Sequence, residues 1–245
     1  MDNMTILGID SSGLVASVAL YTDGVIRAEY SVNFKKTHSQ TLLPMIDEIM
    51  SMTETKKSDL TAIAVASGPG SFTGLRIGGA TAKGLGLALK LPLLPVPTLE
   101  GLSYRFVGCD ALVCPLMDAR RSQVYTGIYS FEDGFHSVLE QTAISIDELI
   151  EKVNSLGKKI MFLGDGVAVY KEQLVASLKI PYKFAEPHQN LQSAAAVAVR
   201  AADLLELGKG ISADAYAPEY LRLSQAERER EEARKKRELE EQVKG

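Results

Sequence analysis

The sequence predicts an α/β protein of two lobes, each a mixed sheet flanked by helices. Three observations predict it. The chain opens on three strand-like runs joined by tight turns, helices and strands then alternate, and the same order begins again near residue 111. Each half reads βββαβαβα.

In the first half, residues 4–10 (MTILGID) form a short apolar run ending in Asp10-Ser11-Ser12-Gly13, a strand feeding a tight turn. Residues 15–21 (VASVALY) are a second strand, and Thr22-Asp23-Gly24 turns into a third over 25–32. A helix follows over 38–52, with apolar Leu42, Leu43, Met45, Ile46, Ile49 and Met50 at helical spacing. Residues 62–67 (AIAVAS) read as a buried strand, and Gly68-Pro69-Gly70-Ser71 leads into a helix over 72–89. A strand over 93–96 and a helix over 98–107 close the half.

The second half places strands at 112–117, at 124–129 after a turn at 119–122, and near 137–143. A helix over 146–155 and a strand over 160–163 ending in Gly164-Asp165-Gly166 follow. A helix over 169–177, a short strand near Tyr182 and a long helix over 193–207 complete it. The halves share element order and not residue identity. The expected division is an N-terminal lobe over 1–107, a C-terminal lobe over 108–223 whose last helix is free to pack back toward the first, and a charged tail over 224–245.

Composition narrows the function. The 245 residues are 46% hydrophobic and 24% charged, enough apolar material for a globular core. A net charge of -4 and a pI near 5.5 give no bulk attraction for phosphate backbones, so contact with nucleic acid requires a local patch or a partner. Cys109 and Cys114 lack C-x-x-C spacing and read as two buried free thiols. No signal peptide and no membrane span are recognisable, and the expected location is the cytoplasm. The tail from Gln225 carries seven basic and seven acidic residues; Glu231 with Lys235 and Glu232 with Lys236 are ordered to favour a solvated helix by ~0.3 kcal/mol each. Such a helix either stays in solvent or binds a partner.

Residues 68–89 (GPGSFTGLRIGGATAKGLGLAL) are the most informative segment. They match neither G-x-x-x-x-G-K-[ST] nor G-x-G-x-x-G, so no nucleotide fingerprint is present. The loop reads as a strained turn, with an anion nest as the alternative. Within the helix, Gly74, Gly78, Ala82 and Gly86 recur every four residues, and Gly79 and Gly84 add further small positions. Each interior glycine costs about 0.5–1 kcal/mol relative to alanine, so a closely approaching neighbour must offset the cost. Either that neighbour lies in the same lobe or it belongs to a second subunit. The preceding helix favours the second subunit, because its apolar positions span an arc of about 160°, more than one buried face requires. Arg76 and Lys83 would then flank the contact.

These residues carry a resemblance to a known family. GIDSS near the start, ASGPGSFTGLRIG in the middle, MDARRSQVY in the second half and APEYLR near the end resemble the TsaB (YeaZ) family, over about residues 4–223. The resemblance implies the actin-like ATPase (ASKHA) fold, in which two such halves face each other across a cleft. It also implies a subunit that pairs with the catalytic TsaD, is joined by TsaE, and serves threonylcarbamoyl transfer to the adenosine next to the anticodon of tRNA. Alone, it implies a homodimer through much the same surface, with tRNA met through the complex. The implied interface residues are His38, Leu42, Met45, Ile46, Ile49, Phe72, Thr73, Arg76, Gly78, Ala80, Ala82, Lys83 and Leu87. Where TsaD carries H-x-E-G-H, this chain reads Thr98-Leu99-Glu100-Gly101-Leu102, and a hydroxyl and an isobutyl group cannot replace two imidazoles as metal ligands. His38, His136 and His188 show no ligand spacing. The expectation is therefore no catalytic residue, no metal and no resident cofactor, with weak ATP or ADP binding the only allowance.

Residual catalytic readings rest on single features. Asp10, Ser11 and Ser12 stand where actin-like ATPases place the loop under the nucleotide phosphates, and read either as a polar turn or as a vestigial nucleotide site. The Asp165 turn reads either as facing the same cleft or as only a loop. Ser71 lacks G-x-S-x-G and a placed histidine, and Asp118, Arg120 and Arg121 read as a charged turn, open to a partner or substrate. An ATPase or kinase is thus the second reading and a metallopeptidase the third.

Overall fold

The chain's apolar runs sort by how many neighbours they have. The computed structural model describes residues 4–34 and 37–222; the expected charged tail lies outside them. Strand β1 (Thr5–Asp10) is buried throughout because it pairs antiparallel with β2 (Ala16–Thr22) on one edge and parallel with β4 (Ala62–Gly68) on the other. With β3 (Val25–Val32) and β5 (Leu93–Pro97), these form a sheet of order β3-β2-β1-β4-β5. β3 is an edge strand and largely exposed.

The second sheet repeats the pattern: β6 (Leu112–Asp118), β7 (Gln123–Ser130), β8 (His136–Ser145), β9 (Ile160–Leu163) and β10 (Tyr182–Phe184), ordered β10-β9-β6-β7-β8. Each sheet is an antiparallel meander extended by parallel crossovers, the topology of the actin-like fold expected above. Helices α1 (His38–Met52) and α2 (Phe72–Leu89) cover one face of the first sheet, and α4 (Ile146–Leu156) and α5 (Gly166–Ser177) one face of the second.

The helix that ends each half serves the other half. α6 (Ala194–Glu206) lays Val197, Ala198, Ala201 and Ala202 on Ile6, Ala64, Leu94 and Val96, closing the open face of the first sheet. α3 (Thr98–Ser103) sends Leu99 and Leu102 into a cluster with Val113, Met117, Tyr129 and Leu163 of the second. The alanines bring α6 close: a Cβ on Gly8 would stand 2.5 Å from the Ala194 carbonyl oxygen. Residue 107 therefore divides the sequence but not the packing.

α3 and α6 meet in a charged seam. Arg200 Nε donates to Glu100 Oε2 at 2.8 Å, and the guanidinium lies 4.3 Å from the Phe135 ring centroid. Tyr104 O–H donates to Asp203. The helix expected over 98–107 ends at Ser103, whose Oγ donates to the Glu100 carbonyl, and continues as a 3-10 turn over Tyr104–Phe106. The helix expected from 169 begins instead at Gly166, directly after Gly164 turns the chain at φ 102°.

After α6 the chain returns across the first lobe as a strap. Ile211 pairs with Leu93, the Tyr216 ring lies on Gly79, and Glu219 N donates to the Ser67 carbonyl at 2.7 Å. Arg222 reaches the Ala119 carbonyl of the second lobe.

Candidate functional site

α2 begins and ends as its sequence dictates. Ser71 Oγ accepts from Gly74 N–H at the N-cap, and Lys90 adopts the left-handed conformation after the last turn. The direction of its small-residue ridge differs from the second-subunit expectation. Gly74, Gly78, Ala82 and Gly86 face inward. A Cβ on Gly74 would stand 2.0 Å from the Ser11 carbonyl oxygen, and one on Gly78 2.3 Å from Ser11 Oγ. One on Gly86 would meet Leu93 and Ala213. The close neighbour is the turn after β1, tied down by Ser11 Oγ donating to the Gly74 carbonyl and Ser71 N donating to the Ser12 carbonyl. The ridge is sealed within its own lobe, so Gly78 and Ala82 are packing residues and not docking residues.

The wide apolar arc of α1 has a similar cause. Leu42, Met45, Ile46, Ile49 and Met50 are all buried because α1 packs against both the sheet and α2. Leu43 (56% exposed) and Met52 (70%) are the large apolar side chains that α1 leaves outside. His38 is half-buried, with Nε2 bonded to the Gly13 carbonyl at 2.9 Å.

What remains open is the opposite face of α2: Thr73, Arg76, Ala80, Gly84, Leu87 and Ala88 are exposed. Gly84 differs from the other small positions of α2, because a Cβ there would meet nothing within 4 Å. Its helix cost has no internal recompense. Beside this face, Phe72 stacks on Tyr220 with ring centroids 4.2 Å apart, Arg76 Nε donates to the Tyr220 hydroxyl, and Lys83 Nζ donates to the Asp214 carbonyl. Three residues expected at a partner contact are thus already attached to the strap, two of them through Tyr220 of APEYLR, a role that no periodicity betrays.

The turn at Asp10 is closed. Asp10, Ser11 and Ser12 are buried, and Asp10 Oδ1 accepts from both Ser12 N and Ser12 Oγ. Burial raises the Asp10 pKa from 3.8 to about 6, with the Ser12 bonds and His38 opposing the rise. The native pKa therefore exceeds the unfolded one. This carboxyl supports the fold fully below about pH 3.8 and loses that support as pH climbs through about 6, a change of about 3 kcal/mol. Asp10→Asn keeps the acceptor and the volume, so its stability measured by denaturant titration should lack this decline. An identical pH profile for wild type and variant would refute the assignment.

The remaining candidates are placed as follows. Thr98 Oγ1 accepts from Gly68 N at 3.1 Å, and Leu102 is core. Ser71 is a cap. Asp118 and Asp165, read as separate turns, meet: Asp118 N donates to Asp165 Oδ1, and burial raises the Asp165 pKa. Arg120 pairs with Asp118 at 3.7 Å. Cys114 is buried, its thiol pushed up to about 12, whereas Cys109 is only half-buried, a correction to the expected pair of buried thiols. Among the described residues, no group of three His, Cys, Asp or Glu is placed to hold a metal, and no helix is long and apolar enough to cross a membrane.

A protein called tRNA threonylcarbamoyladenosine biosynthesis protein TsaB from Bacillus subtilis (strain 168) is 34% identical over 228 residues, covering 91% of this chain and 96% of its own. The chain belongs to the TsaB family. A TsaB of the same description from Escherichia coli (strain K12) is 34% identical over 168 residues, 66% of this chain and 72% of its own. A family model described as TsaD, tRNA N6-adenosine threonylcarbamoyltransferase, matches residues 29–230. Among solved structures, YeaZ from Pseudomonas aeruginosa superposes with a TM-score of 0.76 at 26% identity, covering 89% of this chain and all of that one.

Proposed function

We propose that this chain is a non-catalytic subunit that binds and positions a TsaD-type catalytic subunit, joined by a TsaE homologue, for threonylcarbamoyl transfer to the adenosine next to the anticodon of tRNA in the cytoplasm. Alone, it pairs with a second copy through the same face. Family membership supports the pathway, and Gly84 carries the surface: a bare helix position exposed beside Ala80 and Leu87 suits a helix arriving from outside. Leu43 and Leu85 of the α1–α2 groove add apolar area, and Thr73, Arg76, Lys83 and Phe72 lie on α2 to either side of Ala80. Thr98 and Leu102, which stand at the TsaD histidine positions, are spent on a backbone bond and on core packing and offer a metal no ligand. A net charge of -4 favours meeting tRNA through the complex.

The test is reconstitution. TsaD and TsaE homologues given substrate and tRNA should modify tRNA only when this chain is added, and the chain alone should be inert. Steady ATP hydrolysis by the chain alone, lost on Asp10→Ala, would overturn the scaffold reading in favour of an ATPase.

A further inference from the structure

The strap that crosses the first lobe ends by gripping both lobes. Glu219 N donates to the Ser67 carbonyl of β4 at 2.7 Å, and a Cβ on Gly68 would stand 2.1 Å from the Glu219 carbonyl oxygen. The side chain of the same residue reaches the second lobe, where Gln141 Nε2 of β8 donates to Glu219 Oε2 at 3.0 Å. Tyr220 turns to α2 instead, stacked on Phe72 at 4.2 Å and accepting from Arg76 Nε at 3.2 Å. Arg222 Nη1 then donates to the Ala119 carbonyl, at the turn between β6 and β7. Tyr220 on the first lobe is thus flanked on both sides by residues bonded to the second.

This grip is easily released. Glu219, Tyr220 and Arg76 are exposed and Gln141 and Arg222 half-buried, so water competes for their bonds, unlike the apolar contacts by which α3 and α6 join the sheets. The turn that it holds is strained. Arg120, Arg121 and Ser122 take φ values of 65°, 55° and 57°, three left-handed residues in succession with no glycine among them. Such a backbone persists where its surroundings over-determine it. Asp118 Oδ1 accepts from Arg120 N, and Tyr170 O–H donates to the Gln123 carbonyl, both within the second lobe. Arg222 is the support that arrives from the strap.

We propose that Glu219–Arg222 is a latch through which α2 sets the conformation of the β6–β7 turn in the second lobe. Contact on α2 beside Phe72 and Arg76 steadies Tyr220. Tyr220 steadies Glu219 and Arg222, and these hold Gln141 and Ala119 in place. A partner seated on α2 therefore tightens a turn that α2 itself does not carry. That last step rests on the docking role given to α2 above, whereas the link from α2 to the turn does not.

Hydrogen exchange on the full chain, followed by mass spectrometry over residues 118–124, tests the link without a partner. Phe72→Ala removes the ring on which Tyr220 stacks and should speed exchange of the turn at least about tenfold. Leu43→Ala, on α1 and away from the strap, should leave it unchanged. Tyr220→Ala keeps α2 intact and should repeat the effect of Phe72→Ala, so it reports even if Phe72→Ala melts early. Turn exchange unchanged in Tyr220→Ala, or raised equally by Leu43→Ala, would overturn the proposal. Adding the TsaD-type partner should then slow exchange of the turn in the wild type and not in Tyr220→Ala. Partner binding with no slowing overturns the latch and leaves the docking role standing. Failure to bind refutes the docking role instead, and the partner-free measurements then decide the latch alone.

Discussion

Replacing Ala80 by arginine is expected to lower affinity for the TsaD-type partner at least 100-fold, about 2.7 kcal/mol, while leaving the isolated chain's melting unchanged. Ala80 is exposed at the middle of the outward face of α2, one helical turn from both Arg76 and Gly84. Its side chain contributes little to the lobe, so the monomer should tolerate the change within ~0.5 kcal/mol. At the centre of a close helix–helix contact, a long cation both blocks approach and loses its hydration. The measurement is titration of labelled partner, with sedimentation following the homodimer in parallel. Less than a threefold loss of partner affinity would remove this face from the interface.

The second large effect separates the two sides of the same helix. Gly74→Leu should destabilise the chain by at least ~4 kcal/mol, a fall in Tm of at least ~8 °C. The first carbon of the new side chain would already lie 2.0 Å from the Ser11 carbonyl oxygen, a backbone atom that cannot swing aside. Gly84→Leu makes the same chemical change ten residues on, where a Cβ meets nothing within 4 Å. It should melt at or above the wild-type temperature, since leucine is the better helix former by roughly 0.8 kcal/mol. It should nevertheless bind the partner poorly, because the bare position is filled. If both variants melted alike, the inward and outward assignment of α2 would be wrong.

Much of the fold was legible because its signals are local. α1 and α2 run over the spans read from periodicity, and Ser71 caps α2 at the junction where strand gives way to helix. The two meanders announced themselves through turns such as Thr22-Asp23-Gly24, and the expected order of elements recurs in both sheets. The site was legible only in part. α2 has small residues on both sides, so its amphipathicity could not say whether Gly78 or Gly84 faced the core. The breadth of the α1 arc indicated more than one neighbour, but whether the second neighbour was α2 or another molecule is not a property of α1. Tyr216 and Tyr220 sit in an irregular segment, where no periodicity assigns a partner.

The sequence by itself determined that this is a two-lobed α/β chain of the TsaB family, that the histidines of the TsaD motif are replaced by Thr98 and Leu102, and that α2 carries more glycine than a solvent-bounded helix would keep. Spacing and side-chain chemistry give the two halves and the glycine excess, and the resemblance of the motifs gives the family and the missing histidines; each depends on residues near one another along the chain. Only the tertiary structure decided that Ser11 occupies the ridge, that α3 and α6 are exchanged between sheets, and that Gly84 is left bare. Those outcomes depend on which distant segments come within contact distance, and steric exclusion between backbones acts through space and leaves no periodic mark in the order of residues.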